Sequence, residues 1–474
     1  MKLVSTGWAS FYVRRLCLLG SALAFVGAVA TARAEDWPQW RGPEGNGISK
    51  ATGLPTTWGP IQNIVWKTPM PSWSGGTPVI WGDRIFVTSP AAPVKTAAPQ
   101  QSALSTPALR LVGGRQGRGG YGGQRDAGGS GLLLICVSKK DGSILWQREL
   151  DQGNRVYNKQ NSSSPSPVTD GKLVWVMTGT GAVTAFTMDG KEVWKRHIQQ
   201  DYGRFGLNWG YASSPLLYNG MLIIQVLQGF NTTDPSYLLA LDGATGKEIY
   251  RKVRPTDAIR ESPDAYTTPA LLTYGGKTQI VVSGGDYVTG HDPKTGQEIW
   301  RAGGLNPFKN PNFRIVASPV VADGMIYSPS RQRPLLAIKA GGTGDVTQTH
   351  LAWKWDDRGG PDVPTPVCDG KYFYMVADNG MITCLDAKSG KVIWGPERAA
   401  TGTVDASPVL ADGKLFITNE SGVTTVLAAG PAFKVLATNS LDDSYTLSSI
   451  AVSGKRLFVR TSNYLYCIGM NSAK

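Results

Sequence analysis

The chain has 474 residues and a formal net charge of +13, long enough for a large core and basic enough to favour anionic surroundings such as lipid head groups or polyanions. No run of basic residues interleaved with aromatics marks a nucleic-acid groove, which argues against that partner. Beyond the first 34 residues no apolar stretch is long enough to span a bilayer.

Residues 1–34 read as a secretory signal peptide: Lys2, Arg14 and Arg15 precede the apolar run from Leu16 to Ala30, and Ala32-Arg33-Ala34 is a small-x-small cleavage site. Arg14-Arg15 matches a twin-arginine signal poorly, so ordinary export is expected. Losing the four basic residues of this segment leaves the mature chain at +9, exported to a periplasm or secreted, with no transmembrane segment and expected as a monomer.

Asn63-Ile-Val-Trp-Lys-Thr-Pro69 is the first strand-like stretch. Residues 90–131 follow, holding a glycine- and arginine-rich run from Gly113 to Arg125 that cannot bury a core and reads as a flexible insertion. Thereafter one hairpin recurs: an apolar strand, a turn built on Asp and Gly, and a second strand ending in an aromatic. It appears as Cys136 to Trp146, Ala185 to Trp194, Leu241 to Tyr250, His291 to Trp300 and Ile382 to Trp394. Upstream of each hairpin lies a Ser-Pro or Thr-Pro, an apolar pair, a polar turn and another strand.

The prolines are Pro78, Pro167, Pro215, Pro269, Pro319, Pro366 and Pro408, with Ser449 read as standing in at an eighth position. After a first gap of 89 residues, stretched by the insertion, the spacings are 48, 54, 50, 47, 42 and 41. Four short strands at that period are the signature of an all-β, eight-bladed β-propeller with four antiparallel strands per blade. The last unit, ending at Leu465-Tyr-Cys-Ile468, lacks an outer strand, and residues 63–69 have the pattern to supply it, with Trp66 where the other blades have theirs. Residues 35–474 are therefore expected to form a single ring closed by an N-terminal strand, with its sheet edges protected.

The Asp-x-x-Thr-Gly-x-x-x-Trp hairpin, clearest at Asp292 to Trp300 and closely matched at Asp386 to Trp394, resembles the repeat of the PQQ-like (quinoprotein-like) β-propellers. Asp36-Trp-Pro-Gln-Trp-Arg-Gly42, Gly344-Asp-Val-Thr-Gln-Thr-His350 and Leu465-Tyr-Cys-Ile-Gly469 are similar to segments of the BamB-like, PQQ-binding-like group. The resemblance implies blades whose tryptophan packs on the next blade's turn. It also implies two kinds of function. One is a non-catalytic scaffold for a protein, envelope partner or ligand, of the BamB type. The other is a dehydrogenase that uses pyrroloquinoline quinone (PQQ) and calcium to oxidise an alcohol or sugar.

With the Ser-Pro strand innermost, the loops leading into it and the loops between second and third strands open on one face, and the Thr-Gly-Lys turns on the other. The lead-in loops carry the unusual chemistry: Trp73, Asn161, Asn208-Trp209, Tyr211, Arg260-Glu261, Tyr266, Asn312, Arg314, Asp362, Asp405 and Asp443-Ser-Tyr445. Asn161, Trp209, Arg260, Glu261, Arg314, Asp362 and Asp405 are the candidate ligand-binding residues. For a quinone site, Glu261, Asp362 and Asp405 would supply carboxylates, Asn161 or Asn208 an amide, and Arg260 or Arg314 the cation. The equal and opposite expectation is that these residues fill the channel and cap strand ends.

Cysteines and histidines add little chemistry. Cys136, Cys384 and Cys467 share one register with Ala240 and Ala337 and read as small core residues, Cys368 falls in a turn, and no disulfide is expected. The quinone dehydrogenases of this fold carry two adjacent cysteines against the cofactor, and no Cys-Cys occurs here. None of His197, His291 and His350 has a second ligand at zinc-site spacing, and no Cys-x-x-Cys-His is present for a haem.

Overall fold

A proline has no N–H to give and sits easily at the start of a strand. In seven blades it opens the innermost strand: Val79–Trp81, Val168–Thr169, Leu216–Tyr218, Ala270–Tyr274, Val320–Ala322, Val367–Cys368 and Val409–Ala411. In the eighth, Ala451–Ser453, Ile450 occupies the proline position. Ser449 aligns instead with the Ser or Thr before each proline, because its hydroxyl makes the same link to the preceding blade. The expected stand-in is thus displaced by one residue. Cys368 is likewise the end of a strand, not part of a turn.

The computed structural model describes residues 35–93 and 127–470. The expected signal peptide and residues 94–126 of the insertion lie outside them; the insertion's flanks join the second and third strands of blade 1, Arg84–Pro90 and Gly131–Ser138. Eight antiparallel four-stranded sheets make the ring, with a single short helix, Ile198–Tyr202, among the described residues.

Blades stack face to face, so their middle strands are covered on both sides. In blade 6, Tyr372–Val376 and Met381–Asp386 are almost wholly buried, whereas the outer strand Val392–Arg398 is mostly exposed. Side chains such as Phe373 and Leu385 each contribute about 1.5–3 kcal/mol by leaving water.

Across the third and outer strands the aromatic of each hairpin faces a small residue: Trp146 opposite Cys136, Trp194 opposite Ala185, Tyr250 opposite Ala240, Trp300 opposite Gly290, Trp353 opposite Ala337, and Trp394 opposite Cys384. The small partner leaves room for the ring to lie over it. This explains the cysteine register: all four described cysteines are buried and free, with burial pushing their thiols up to about 12.

Each ring then reaches the next blade's turn. The indole N–H of Trp66, Trp146, Trp194, Trp353 and Trp394 donates to the carbonyls of Lys139, Met188, Gly243, Ala387 and Gly430. Blade 4 is the exception. Trp300 folds over its own Gly290 and donates to Gln279 of the same blade, and the neighbouring turn instead lends Gly344–Asp345 as a parallel strand along Glu298–Ala302.

Ile64–Pro69 pairs antiparallel with Tyr464–Gly469, Trp66 opposite Cys467, and completes blade 8 as expected. The segment before it crosses the channel at the turn-face end. Trp37 exchanges backbone bonds with Ile80 of blade 1, and Ile48–Ser49 runs parallel to the innermost strand of blade 7. Between them the fully buried Arg41 guanidinium donates to the carbonyls of Asn46, Thr365 and Pro366. Gly47, at φ 79°, leaves the space it needs: a Cβ there would lie 2.5 Å from Arg41 Nη2.

Candidate binding site at the channel mouth

Before each innermost strand stands a Ser or Thr, and its hydroxyl oxygen accepts the backbone N–H of its counterpart in the preceding blade. Thr77 donates to Ser166, Ser166 to Ser214, Ser214 to Thr268, Thr268 to Ser318, Ser318 to Thr365, Thr365 to Ser407 and Ser407 to Ser449, at 2.8–3.1 Å. The belt is open between blades 8 and 1, where Thr77 Oγ1 is buried without a partner. It encircles a cavity of about 240 Å³. Trp40 lines both this cavity and a second, of about 600 Å³, toward the turn face, so it forms the floor between them.

The mouth is set by lead-in loops. That of blade 2 folds into a small hairpin, Val156–Tyr157 against Gln160–Asn161, turning through Asn158 at φ 52°. Its tip carries Lys159, whose ammonium lies 2.7 Å from Asp405 of blade 7 and 3.8 Å from Glu420. Burial works against the Lys159 charge, but Asp405, Glu420 and Asp378 hold it above the usual lysine range. Burial, then the neighbouring Glu420 carboxylate, pushes Asp405 up to about 7. Burial likewise raises Asp378 to about 6, although it accepts the N–H groups of Asp362 and Val363.

Next to Asp378, Asp362 lies 3.2 Å from Arg314, with Arg331 at 3.8 Å. Trp209 is held at both ends: its indole N–H donates to Glu261 at 2.7 Å, and its backbone N–H to the Tyr266 hydroxyl. Asp264, fully buried and raised to about 6 by burial, accepts the N–H groups of Asn208 and Phe230 and so ties the loops that present Trp209.

Of the residues singled out from sequence, Trp209, Arg314 and Asp405 line the cavity. Glu261 and Asp362 stand behind them as the groups that hold Trp209 and Arg314. Asn161 is buried, donating to the Trp73 carbonyl and accepting from Ser163, and so braces two loops. Arg260 is exposed and does not line the cavity.

Tyr157, Lys159, Gln160 and Trp40 were not anticipated, nor were Asp378 and Glu420. The Asn158-Lys159 pair between short strands is a turn signal that marks the hairpin. Asp378 and Glu420 lie in loops between second and third strands, which open on this same face.

A family model described as outer membrane protein assembly factor BamB matches residues 130–396 and 343–463. Among curated relatives, the outer membrane protein assembly factor BamB of Yersinia pestis is 22% identical over 343 residues, covering 69% of this chain and 77% of its own. The dehydrogenase subunit of the quinone alcohol dehydrogenase of Gluconacetobacter polyoxogenes is 30% identical over 122 residues, but these are 22% of this chain and 16% of that one. Of solved structures, a europium-containing methanol dehydrogenase superposes with a TM-score of 0.63 at 12% identity, covering 91% of this chain and 90% of its own. BamB of Moraxella catarrhalis does so with a TM-score of 0.50 at 13% identity, covering 73% and 91%. The structural likenesses speak for the fold alone.

Proposed function

Because the chain belongs to the family of the outer membrane protein assembly factor BamB, we propose that it is an exported, non-catalytic scaffold that binds an envelope protein or other ligand through its lead-in face. The observation that carries this reading is how the charges at the mouth are used. Lys159 and Arg314 are each paired with a carboxylate, and Glu261 is engaged with Trp209, so the face is braced for contact. Trp209, 39% exposed, is presented on that brace. No helix among the described residues is long and apolar enough to cross a membrane.

The residues do not fit a quinone with calcium. Such a site needs carboxylate and amide oxygens converging on one cation. Here the Asn161 amide is spent on Trp73 and Ser163, and Asp362 and Asp405 are each tied to a cation of the protein's own. Among the described residues no three His, Cys, Asp or Glu gather as a metal-binding set.

Site-specific photocrosslinking tests the reading, with the reactive group placed at Trp209 or the exposed Phe308 on the lead-in face and at Lys247 or Lys391 on the turn face. Discrete adducts with envelope proteins are expected from the lead-in positions alone. Equal labelling from both faces would remove it, and so would calcium-dependent alcohol oxidation by the protein loaded with PQQ.

A further inference from the structure

We propose that the belted channel is a binding site for one uncharged sugar ring, a pyranose or the terminal residue of a glycan. This deepens the scaffold reading and rests on it, naming the chemistry that the lead-in face takes into its centre.

The wall is made of donors. All seven hydroxyls that accept a link in the belt line the cavity, and each belongs to a residue more than nine-tenths buried. Each oxygen takes one backbone N–H, and among the described residues none of the seven finds an acceptor for its own proton. An occupant must therefore bring acceptors at several points around its edge. A purely apolar side chain would leave those protons unpaired in a site shielded from water.

Charge sets a second limit. The two cations lining the cavity are neutralised where they stand, Lys159 by Asp405 and Arg314 by Asp362. An anionic ligand would lose hydration without gaining a free counter-charge, so an uncharged one is favoured over it.

The third limit is apolar. Trp40 forms the floor, and Tyr157, Trp209 and Tyr266 stand around the opening. A pyranose combines C–H faces that lie against aromatic rings with a rim of hydroxyls that accept from such a belt. A volume of about 240 Å³ suits one such ring and little more. The hairpin carrying Tyr157 and Lys159 leans over part of the opening, and a second sugar unit would leave beside it.

Calorimetric titration of the full mature chain with D-glucose, D-galactose and N-acetyl-D-glucosamine, followed also by tryptophan fluorescence, tests the assignment. Cyclohexanol, glucuronate and PQQ with calcium serve as apolar, charged and cofactor controls. Saturable binding of at least one neutral pyranose is expected, with a Kd of about 1 mM or tighter, weakened about tenfold by Trp209→Ala and by Thr268→Val. The proposal fails if no neutral sugar saturates, if any control binds more tightly than every sugar, or if both variants bind as the parent does while their unfolding curves show them folded. Lead-in crosslinks without sugar binding would remove this inference and leave the scaffold reading. Sugar binding without such crosslinks would keep the channel site and remove the protein partner.

Discussion

The two faces of the ring satisfy their polar groups over different distances. On the turn face Asp141, Asp242, Asp292 and Asp386 each accept the N–H and hydroxyl of a Ser or Thr two or three residues further on. On the lead-in face Asn208 reaches 56 residues to Asp264, Arg314 reaches 48 to Asp362, and Lys159 reaches 246 to Asp405. A turn that settles its own bonds can be copied from blade to blade. A loop that depends on the loop of another blade cannot, and there the repeat gives way to individual residues. The same contrast governs titration: hydrogen bonds from Ser143 hold exposed Asp141 down to about 2, whereas burial raises Asp264 and Asp378 to about 6 and Asp405 to about 7.

Breaking a long-range tie should therefore cost most. Asp264→Ala leaves the N–H groups of Asn208 and Phe230 without their acceptor and removes the anchor beneath Trp209. A loss of about 3 kcal/mol is expected in urea unfolding, together with a changed fluorescence of Trp209 in the folded state. Asp292→Ala on the turn face, losing only local and exposed bonds, should cost no more than about 1 kcal/mol. Equal costs would dissolve the contrast between the faces.

The turn face has long-range features of its own, among them the stack of an aromatic on the next blade's glycine, as at Gly390. Gly390 has φ 70°, and a Cβ there would lie 2.6 Å from Trp353 Cδ2, whereas at Gly413, φ 66°, it would meet nothing within 4 Å. Gly390→Ala should lose about 2 kcal/mol and Gly413→Ala about 1 kcal/mol or less, since only the first adds a clash to the backbone strain. Thermal unfolding of the two variants separates strain from stacking.

Acid and base should act on the faces in opposite directions. A carboxyl raised in the folded state binds its proton more readily there than in the unfolded chain, so its contribution falls as pH rises from about 4 to about 7. A depressed one, such as Asp141, contributes above about pH 4 and loses that contribution as pH falls toward about 2. Relative to the parent, Asp405→Asn should thus gain in unfolding midpoint as pH rises through the first window, and Asp141→Asn as pH falls through the second. A parallel offset at every pH for Asp405→Asn would show that its carboxyl titrates normally.

The division between local and long-range bonds also decides what the sequence reveals. The period, the hairpins, the cysteine register and the closure of blade 8 by residues 63–69 all rest on patterns within about ten residues or on an unpartnered strand, and all are present in the fold. The lead-in loops could be placed on one face by topology, which brought Trp209, Arg314 and Asp405 into the candidate set. Which residues meet across the mouth depends on side-chain reach between blades, so Lys159 was missed and the surface residue Arg260 was included. The crossing of the channel by Asp36 to Ser49 escaped for the same reason: a buried Arg41 answered only by carbonyls leaves no complementary charge in the sequence to look for.

The smallest effect probes the belt itself. Thr268 and Thr77 occupy the same position in their blades, yet Thr268 Oγ1 accepts the Ser214 N–H at 3.0 Å while Thr77 Oγ1 accepts nothing. Valine has the shape of threonine without the hydroxyl. Thr268→Val strands a buried N–H and should lose about 1 kcal/mol, whereas Thr77→Val removes an unpaired oxygen and should be neutral or slightly stabilising. If Thr77→Val costs as much as Thr268→Val, the belt closes in solution and the junction of blades 8 and 1 is equivalent to the other seven. If it does not, the ring carries its one weak hydroxyl link beside the blade assembled from both ends of the propeller, and closure there rests on Arg460 donating to the Ser72 and Ser74 carbonyls and on Trp66 and Thr68 donating to those of Lys139 and Gly142.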